Sequence, residues 1–178
     1  MGAYDPVVLA GLITDCRKNG SSNHAKGEAL ADLVEYLFTE ANGVELIERS
    51  LLDADGSGEI DFVFANDPFV SGMLTWSVTI FVECKNEARK IGAAQVRTFA
   101  SKLNDHNQPL GVMITSKGLS GAQRTHAHAV ISSELGHGRT IIVMTLSDIT
   151  TFTHTGDLVT LFRARRQELE VQRHYTSI

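Results

Sequence analysis

Residues 79–86 read Thr79-Ile80-Phe81-Val82-Glu83-Cys84-Lys85-Asn86, an apolar run that ends on a carboxylate and an ammonium. In an extended strand the side chains of Glu83 and Lys85 project from the same face, and Cys84 points to the opposite face. Two adjacent charges at the end of a buried strand bring no advantage in packing. A metal site with a neighbouring cation would account for both, so the stretch predicts a buried strand that ends in such a site.

Upstream of this strand, the sequence predicts two helices and a hairpin. Apolar residues recur at helical spacing over residues 6–18 and 24–41, and an Asn-Gly pair follows each segment and ends the helix. Residues 44–52 and 59–65 are typical of two strands joined by the turn sequence DADGSG at 53–58. Residues 74–85 are predicted to form a long third strand. Because the connections are short, we expect an antiparallel meander.

Downstream of residue 86, helices and strands alternate. The pattern predicts helices over 91–103 and 119–135, strands over 110–115 and 139–146, and an Arg-rich closing helix over 157–173. Alternation of this kind gives parallel strands with right-handed crossovers. The predicted fold class is therefore α/β, with a mixed central sheet of an antiparallel meander plus parallel strands, flanked by helices. We expect one domain over residues 1–178, with its core at about 24–150.

The composition is that of a globular protein, with 43% apolar and 21% charged residues. The two cysteines, Cys16 and Cys84, lack the spacing of metal ligands, and the sequence shows neither a membrane-length apolar run nor a signal pattern. We therefore expect a reduced, cytoplasmic protein without membrane contact. The formal net charge of -5 argues against a non-specific nucleic-acid binder, unless the acids cluster at a metal and the bases form a separate surface.

The second predicted strand carries Asp61, which should lie beside Glu83 on the third strand. Mg²⁺ prefers hard oxygen ligands, usually one or two carboxylates with water and substrate oxygens. Such a cation supports phosphodiester hydrolysis because it neutralises developing charge and lowers the pKa of the attacking water. Lys85 would orient or deprotonate that water or stabilise the phosphorus centre, and the backbone carbonyl of Cys84 would add a metal ligand. These residues predict a phosphodiesterase that uses Mg²⁺ or Mn²⁺.

This ordered set, Asp61 followed by Glu83-Cys84-Lys85, resembles the PD-(D/E)xK nuclease superfamily, in particular the Mrr-type restriction endonuclease catalytic domains. Glu28 in the helix over 24–41 and Gln95 in the helix over 91–103 match further positions of that pattern. The resemblance covers roughly residues 27–149. It implies a restriction-endonuclease-like core and metal-dependent cleavage of DNA, with Glu28 holding a metal-bound water or a second metal. It also implies that Gln95 contacts the lysine or the substrate phosphate.

Two departures from the family pattern stand near Asp61. Glu59 occupies a position where a small residue is common, and it adds a third acid near the expected metal. No proline precedes Asp61. Plainer interpretations also fit the residues: a salt bridge at the strand end for Asp61, Glu83 and Lys85, and surface positions for Glu28 and Gln95.

Two other metal signals are weaker. Residues 53–64 match a calcium-binding loop at several positions, but Phe64 stands where the loop needs a bidentate glutamate, and a strand pattern follows instead of a helix. We therefore expect no tight calcium binding. His126 and His128 are two residues apart in a predicted helix, where their side chains diverge, so we expect no zinc site.

The expected partner is DNA, with RNA as the alternative substrate. The residues expected to contact nucleic acid are Lys90, Arg97, Lys102, Lys117 and Arg124. The arginines of the last helix fit either nucleic-acid binding or a solvated face; they are Arg163, Arg165, Arg166 and Arg173. A homodimer is expected because cutting both strands with one active site per chain calls for two copies.

The leading hypothesis is thus an endonuclease in restriction, phage defence or repair. The alternative is a catalytically weak nuclease-fold module that binds nucleic acid or is recruited by a partner protein.

Overall fold

A computed structural model describes residues 2–18, 22–52, 58–74, 76–121 and 126–172. Its sheet has five strands in the order β1-β2-β3-β4-β5. The strands are β1 (Val44–Leu52), β2 (Glu59–Asn66), β3 (Thr79–Lys85), β4 (Leu110–Thr115) and β5 (Thr140–Thr145). The pairs β1–β2 and β2–β3 are antiparallel, and the pairs β3–β4 and β4–β5 are parallel. The predicted mixed sheet is confirmed.

Helices flank this sheet, as the sequence predicts. They are α1 (Pro6–Arg17), α2 (Asn23–Thr39), α3 (Pro68–Ser71), α4 (Ala93–Asp105), α5 (His126–Gly136), α6 (Leu146–Ile149) and α7 (Thr155–Gln172). Helix α2 packs against β1 and β3, and α7 packs against β5. Within the described ranges, no helix combines the length and apolar character needed to cross a membrane.

The core follows from the apolar pattern of the elements. Strand β4 is buried at every position, as expected for a parallel strand covered on both faces. Helix α2 buries the predicted stripe of Leu30, Leu33, Val34, Leu37 and Phe38. Each such side chain stabilises the fold by about 1.5–3 kcal/mol. The apolar residues that predict the helices and strands are therefore the same residues that form the core.

The prediction of one long strand over 74–85 is wrong in its first half, because β3 begins at Thr79. Asp67 caps the short helix α3 instead, and α3 ends at Gly72 with a φ of 78°. Trp76 then stacks on Phe162 of α7, with ring centroids 4.5 Å apart. A contact with a distant helix has replaced strand pairing in this segment.

Helix boundaries on the parallel side also differ from the prediction. Leu119, expected in a helix, pairs with Ile91 in an isolated parallel bridge. Helix α4 therefore begins at Ala93, and α5 begins at His126. Residues 122–125 lie outside the described part of the chain.

The closing helix is less exposed than its arginines suggest. Leu158, Phe162 and Leu169 of α7 are buried. Arg165 is only 2% exposed, so for this residue the interpretation as a solvated or nucleic-acid-binding face is wrong. Its Nη2 lies 3.1 Å from Asp148 Oδ1 and its Nη1 lies 3.4 Å from Glu168 Oε2.

Asp148 also accepts hydrogen bonds from the backbone N–H and hydroxyl of Thr145, both at 2.8 Å. We name Arg165, Asp148, Glu168 and Thr145 the α7 cluster. It joins the closing helix to the end of β5.

Candidate active site

Strands β2 and β3 bring Asp61 next to Glu83. Their antiparallel register pairs Phe62 with Val82, and one further step along that register places Asp61 opposite Glu83. Backbone pairing ends there, and Asp61 Oδ2 accepts a hydrogen bond from the Cys84 N–H at 2.5 Å. Because residues opposite each other on neighbouring strands share a face, the two carboxylates lie side by side.

Two ammonium groups meet the Glu83 carboxylate, whose side chain is only 4% exposed. Lys85 Nζ lies 2.7 Å from Glu83 Oε1. Lys102 reaches in from α4, with its Nζ 2.9 Å from Oε2 and 3.1 Å from Oε1. The same ammonium donates to the backbone carbonyl of Glu59. We name Asp61, Glu83, Lys85 and Lys102 the β3 cluster.

The electrostatics of the β3 cluster reflect its partial burial. Burial raises the pKa of Asp61, and the Glu83 carboxylate raises it further, against the lowering effect of the Cys84 N–H and the two lysines. Burial lowers the pKa of Lys85, but Glu83 and Asp61 outweigh it, and the net pKa of this ammonium is raised. Lys85 is therefore a cation and a hydrogen-bond donor at neutral pH in this arrangement.

The β3 cluster lines an open cleft of about 440 Å³. Helix α4 covers one side of it with Thr98, Ser101, Lys102 and Asp105, which recur at the spacing of one helix face. The opposite side comes from the start of β2. A substrate group that enters this cleft meets both carboxylates and both ammoniums.

Glu28 and Gln95 do not line this cleft. Glu28 Oε2 lies 2.8 Å from Arg49 Nη2 on the face between α2 and β1. Gln95 Oε1 accepts a hydrogen bond from the Gly92 N–H at 2.9 Å, and its Nε2 donates to Glu87 Oε1 at 2.6 Å. Gln95 thus caps the first turn of α4. The structure gives each of these residues a partner away from the β3 cluster.

The remaining predicted positions are scattered. Lys90 and Arg97 are exposed, and Lys117 lines a different cleft. Arg124 and Arg173 lie outside the described residues, as does the 53–57 part of the calcium-like loop. Of the two histidines, His128 is buried. Among the residues that the structure describes, no group of three or more His, Cys, Asp or Glu side chains is arranged to hold a metal ion.

Lys102 is the site residue whose position the sequence did not reveal. The sequence placed it with the basic residues expected on a nucleic-acid surface, whereas it is buried against Glu83. One signal was available: Thr98, Ser101, Lys102 and Asp105 form a polar face on a helix predicted to pack on the sheet. Such a face can lie toward solvent or toward polar groups of the protein, and here its Lys102 contacts Glu83 at the end of β3.

A mixed sheet with paired carboxylates and a lysine at the end of its central strand defines the class of restriction-endonuclease-like nucleases. A sequence model of that class, described as a restriction endonuclease (Mrr_cat), matches residues 23–151, and the chain belongs to this family. No curated protein matches the sequence.

Two structures of NucC share the fold at low sequence identity, and a restriction endonuclease is also similar to the chain. The cAAA-bound form of NucC from P. aeruginosa ATCC27853 matches with a TM-score of 0.54 and 13% identity, over 98% of this chain and 95% of that one. The cAAA-bound form of NucC from E. coli MS115-1 gives 0.51 and 14%, over 98% and 94%. The DNA modification-dependent restriction endonuclease AspBHI gives 0.47 and 16%, over 96% of this chain and 40% of that one.

Proposed function

We propose that this protein is an endonuclease that hydrolyses phosphodiester bonds in DNA with Mg²⁺ or Mn²⁺. The observation that carries the proposal is the β3 cluster: two carboxylates and two ammoniums at the open end of the central strand. Family membership supports the nuclease chemistry. Restriction, phage defence and repair are the processes that such an activity would serve.

The donor set fits a hard divalent cation. Asp61 and Glu83 would hold the ion, with the backbone carbonyl of Cys84 as a third oxygen ligand. Within the described part of the chain, Asp61 Oδ1 has no hydrogen-bond donor, and this oxygen belongs to a residue that lines the cleft. A bound divalent ion supplies a water of lowered pKa and neutralises charge on the phosphate.

The protein's own residues would position the two carboxylates and stabilise negative charge on the phosphate. The Cys84 N–H fixes the orientation of Asp61, and the Lys102 ammonium fixes that of Glu83. Glu83 and Asp61 outweigh burial and raise the pKa of Lys85, which favours its ammonium form. This ammonium would donate hydrogen bonds to the negative oxygens of the phosphate, which accumulate charge in the transition state.

Glu28 and Gln95 are proposals of second rank. Glu28 would assist a metal-bound water only after leaving Arg49, and Gln95 would reach Lys85 or the phosphate only after releasing Gly92. We further propose that Lys90, Arg97, Lys117 and Arg124 contact the DNA backbone. A homodimer would supply the second active site needed to cut both strands, and light scattering measures this directly.

The decisive experiment is cleavage of plasmid, single-stranded and methylated DNA, and of RNA, with and without Mg²⁺. We expect metal-dependent cleavage of DNA that Asp61→Ala and Lys85→Ala each abolish. Arg163→Ala removes an exposed cation on α7 and serves as the control that keeps activity. Full activity in either site variant overturns the assignment, and cleavage confined to RNA changes the substrate.

A second candidate function is a catalytically weak module that binds nucleic acid or a partner protein. One observation favours this second function: both carboxylate oxygens of Glu83 already contact ammonium groups. A metal ion would have to compete with these ammonium groups for Glu83. A calorimetric Mg²⁺ titration without binding, together with retained DNA binding, would favour this candidate over the endonuclease.

A further inference from the structure

A second cleft lies at the carboxyl ends of the parallel strands, the edge at which open α/β sheets bind their ligands. Arg17, Lys18, Lys26, Asn86 and Lys117 are among the residues that line it, and we name these five the basic cleft. We propose that the basic cleft binds backbone phosphates of the DNA on the flank of the bond that is cut. The inference rests on the proposed function and assigns to the same substrate a second contact surface.

Asn86 fixes the geometry of the basic cleft. Its Nδ2 donates to the backbone carbonyls of Cys16 at 3.2 Å and Lys26 at 2.7 Å. These two hydrogen bonds tie the end of α1 and the first turn of α2 to the exit of β3. The backbone positions of Arg17 and Lys26 are therefore set by the residue that directly follows Lys85.

Four cations and one carboxylate, Glu87, are among the residues that line this cleft, in a chain whose formal net charge is -5. Lys18 pairs with Asp15 at 2.5 Å. In the described ranges, no carboxylate forms a salt bridge with the other three cations, Arg17, Lys26 and Lys117. Positive charge concentrated in a concave surface raises the local concentration of anions, and phosphates are the anions that a nuclease substrate carries.

Two observations favour the DNA backbone over a free nucleotide. Asn86 of the basic cleft directly follows Lys85 of the β3 cluster, so the Cα atoms of these two residues are about 3.8 Å apart and the two sites adjoin along the chain. Among the described residues that line the cleft, none carries an aromatic ring on which a base would stack. These residues thus offer cations for phosphates and no stacking surface for a base.

Binding without cleavage tests the proposal. Fluorescence anisotropy of a labelled duplex of about 30 base pairs is followed in EDTA while NaCl rises from about 50 to 200 mM. The variant Lys26→Gln/Lys117→Gln is compared with Arg163→Gln/Arg166→Gln, which removes the same charge from α7. We expect the first variant to lose about tenfold in affinity and to lower the slope of log K against log[salt] by roughly 1–2. The control should change affinity by less than about twofold.

The inference is overturned if the two variants bind the duplex with the same affinity, whether both retain the affinity of the wild type or both lose it. Circular dichroism must show that both variants are folded. Displacement of the labelled duplex by a mononucleotide at lower concentration than by unlabelled duplex also overturns it, because the preferred ligand would then be a free nucleotide. These results leave the proposed function intact if the wild type still cuts DNA. A wild type that neither binds nor cuts any DNA overturns the proposed function instead.

Discussion

The β3 cluster and the α7 cluster both bury charged side chains, and the two sets of charges have different surroundings. In the α7 cluster, Arg165 is 2% exposed and contacts Asp148, whose second oxygen accepts two hydrogen bonds from Thr145. In the β3 cluster, Asp61 and Glu83 stand side by side on the wall of an open cleft. In the α7 cluster the Asp148 and Glu168 carboxylates contact different nitrogens of the Arg165 guanidinium, whereas in the β3 cluster the Asp61 and Glu83 carboxylates lie directly side by side.

The comparison separates ion pairs that stabilise a fold from charges kept for chemistry. Burial and the neighbouring Glu83 carboxylate both disfavour the ionised form of Asp61, and together they raise its pKa. Perturbed pKa values of this kind cluster at functional sites. We therefore expect substitutions in the α7 cluster to cost stability, and substitutions in the β3 cluster to cost activity with smaller effects on stability.

The largest expected effect on stability comes from Arg165→Met. This change leaves Asp148 buried without its cation and should lower the free energy of unfolding by about 3–5 kcal/mol, measured by urea denaturation. Adding Asp148→Asn should recover part of the loss, because an amide oxygen still accepts from Thr145. By comparison, Lys85→Met should lower the free energy of unfolding by less than about 2 kcal/mol, since Lys102 still pairs with Glu83. Equal losses in Arg165→Met and Lys85→Met would remove the distinction between the clusters.

Next in size is Lys102→Met. The charged hydrogen bonds to Glu83 and Glu59 are lost, and the free energy of unfolding without metal should fall by about 1.5–3 kcal/mol. The rise in Tm on adding Mg²⁺ should be larger than in the wild type, because no ammonium from α4 competes for Glu83. A smaller rise would mean that Lys102 helps to hold the ion.

A smaller effect, of opposite sign, is expected for Asp61→Asn without metal. The folded-state pKa of Asp61 is raised, so its ionised carboxylate opposes folding at neutral pH, and this cost disappears as the pH falls through that pKa. The amide removes the cost and still accepts from the Cys84 N–H. Calorimetry at pH 7 should show a Tm higher by roughly 2–4 °C, with a smaller gain in acid and no further rise on adding Mg²⁺. A lower Tm would place Asp61 among the stabilising charges.

The smallest effect is expected for Glu28→Gln. Its pairing with Arg49 is exposed, and Arg49 also contacts Asp32 and Glu35, so the free energy of unfolding should change by less than about 1 kcal/mol. DNA cleavage should fall by less than the loss caused by Lys85→Ala. A loss as large as that of Lys85→Ala, at unchanged stability, would assign Glu28 to the catalytic machinery.

The sequence predicts the features that depend on local pattern. The apolar runs identify β4 and β5, and the succession of three strand patterns predicts β2 and β3 as neighbours, which brings Asp61 beside Glu83. The sequence pattern predicts the wrong local structure where contacts between residues far apart in the chain determine it. Trp76 leaves the predicted strand because it stacks on Phe162, a residue 86 positions away in the printed sequence.

Side-chain partners are less predictable than strand positions for the same reason. Helical periodicity places Lys102 on the polar face of α4, but only the packing of α4 on the sheet brings its ammonium to Glu83. Likewise, nothing local to Glu28 indicates that Arg49 lies within hydrogen-bond distance. A long, flexible charged side chain can reach several partners, and the tertiary structure determines which of them it contacts.

The hydrogen bond between the Cys84 N–H and Asp61 marks the point at which β2 and β3 stop pairing. Because Asp61 Oδ2 accepts a hydrogen bond from β3 at this point, the position of Asp61 is fixed by the central strand as well as by its own strand, β2. A recognition segment, an affinity tag or a fluorescent reporter inserted in the chain between β1 and β2 should therefore leave the register of the site unchanged.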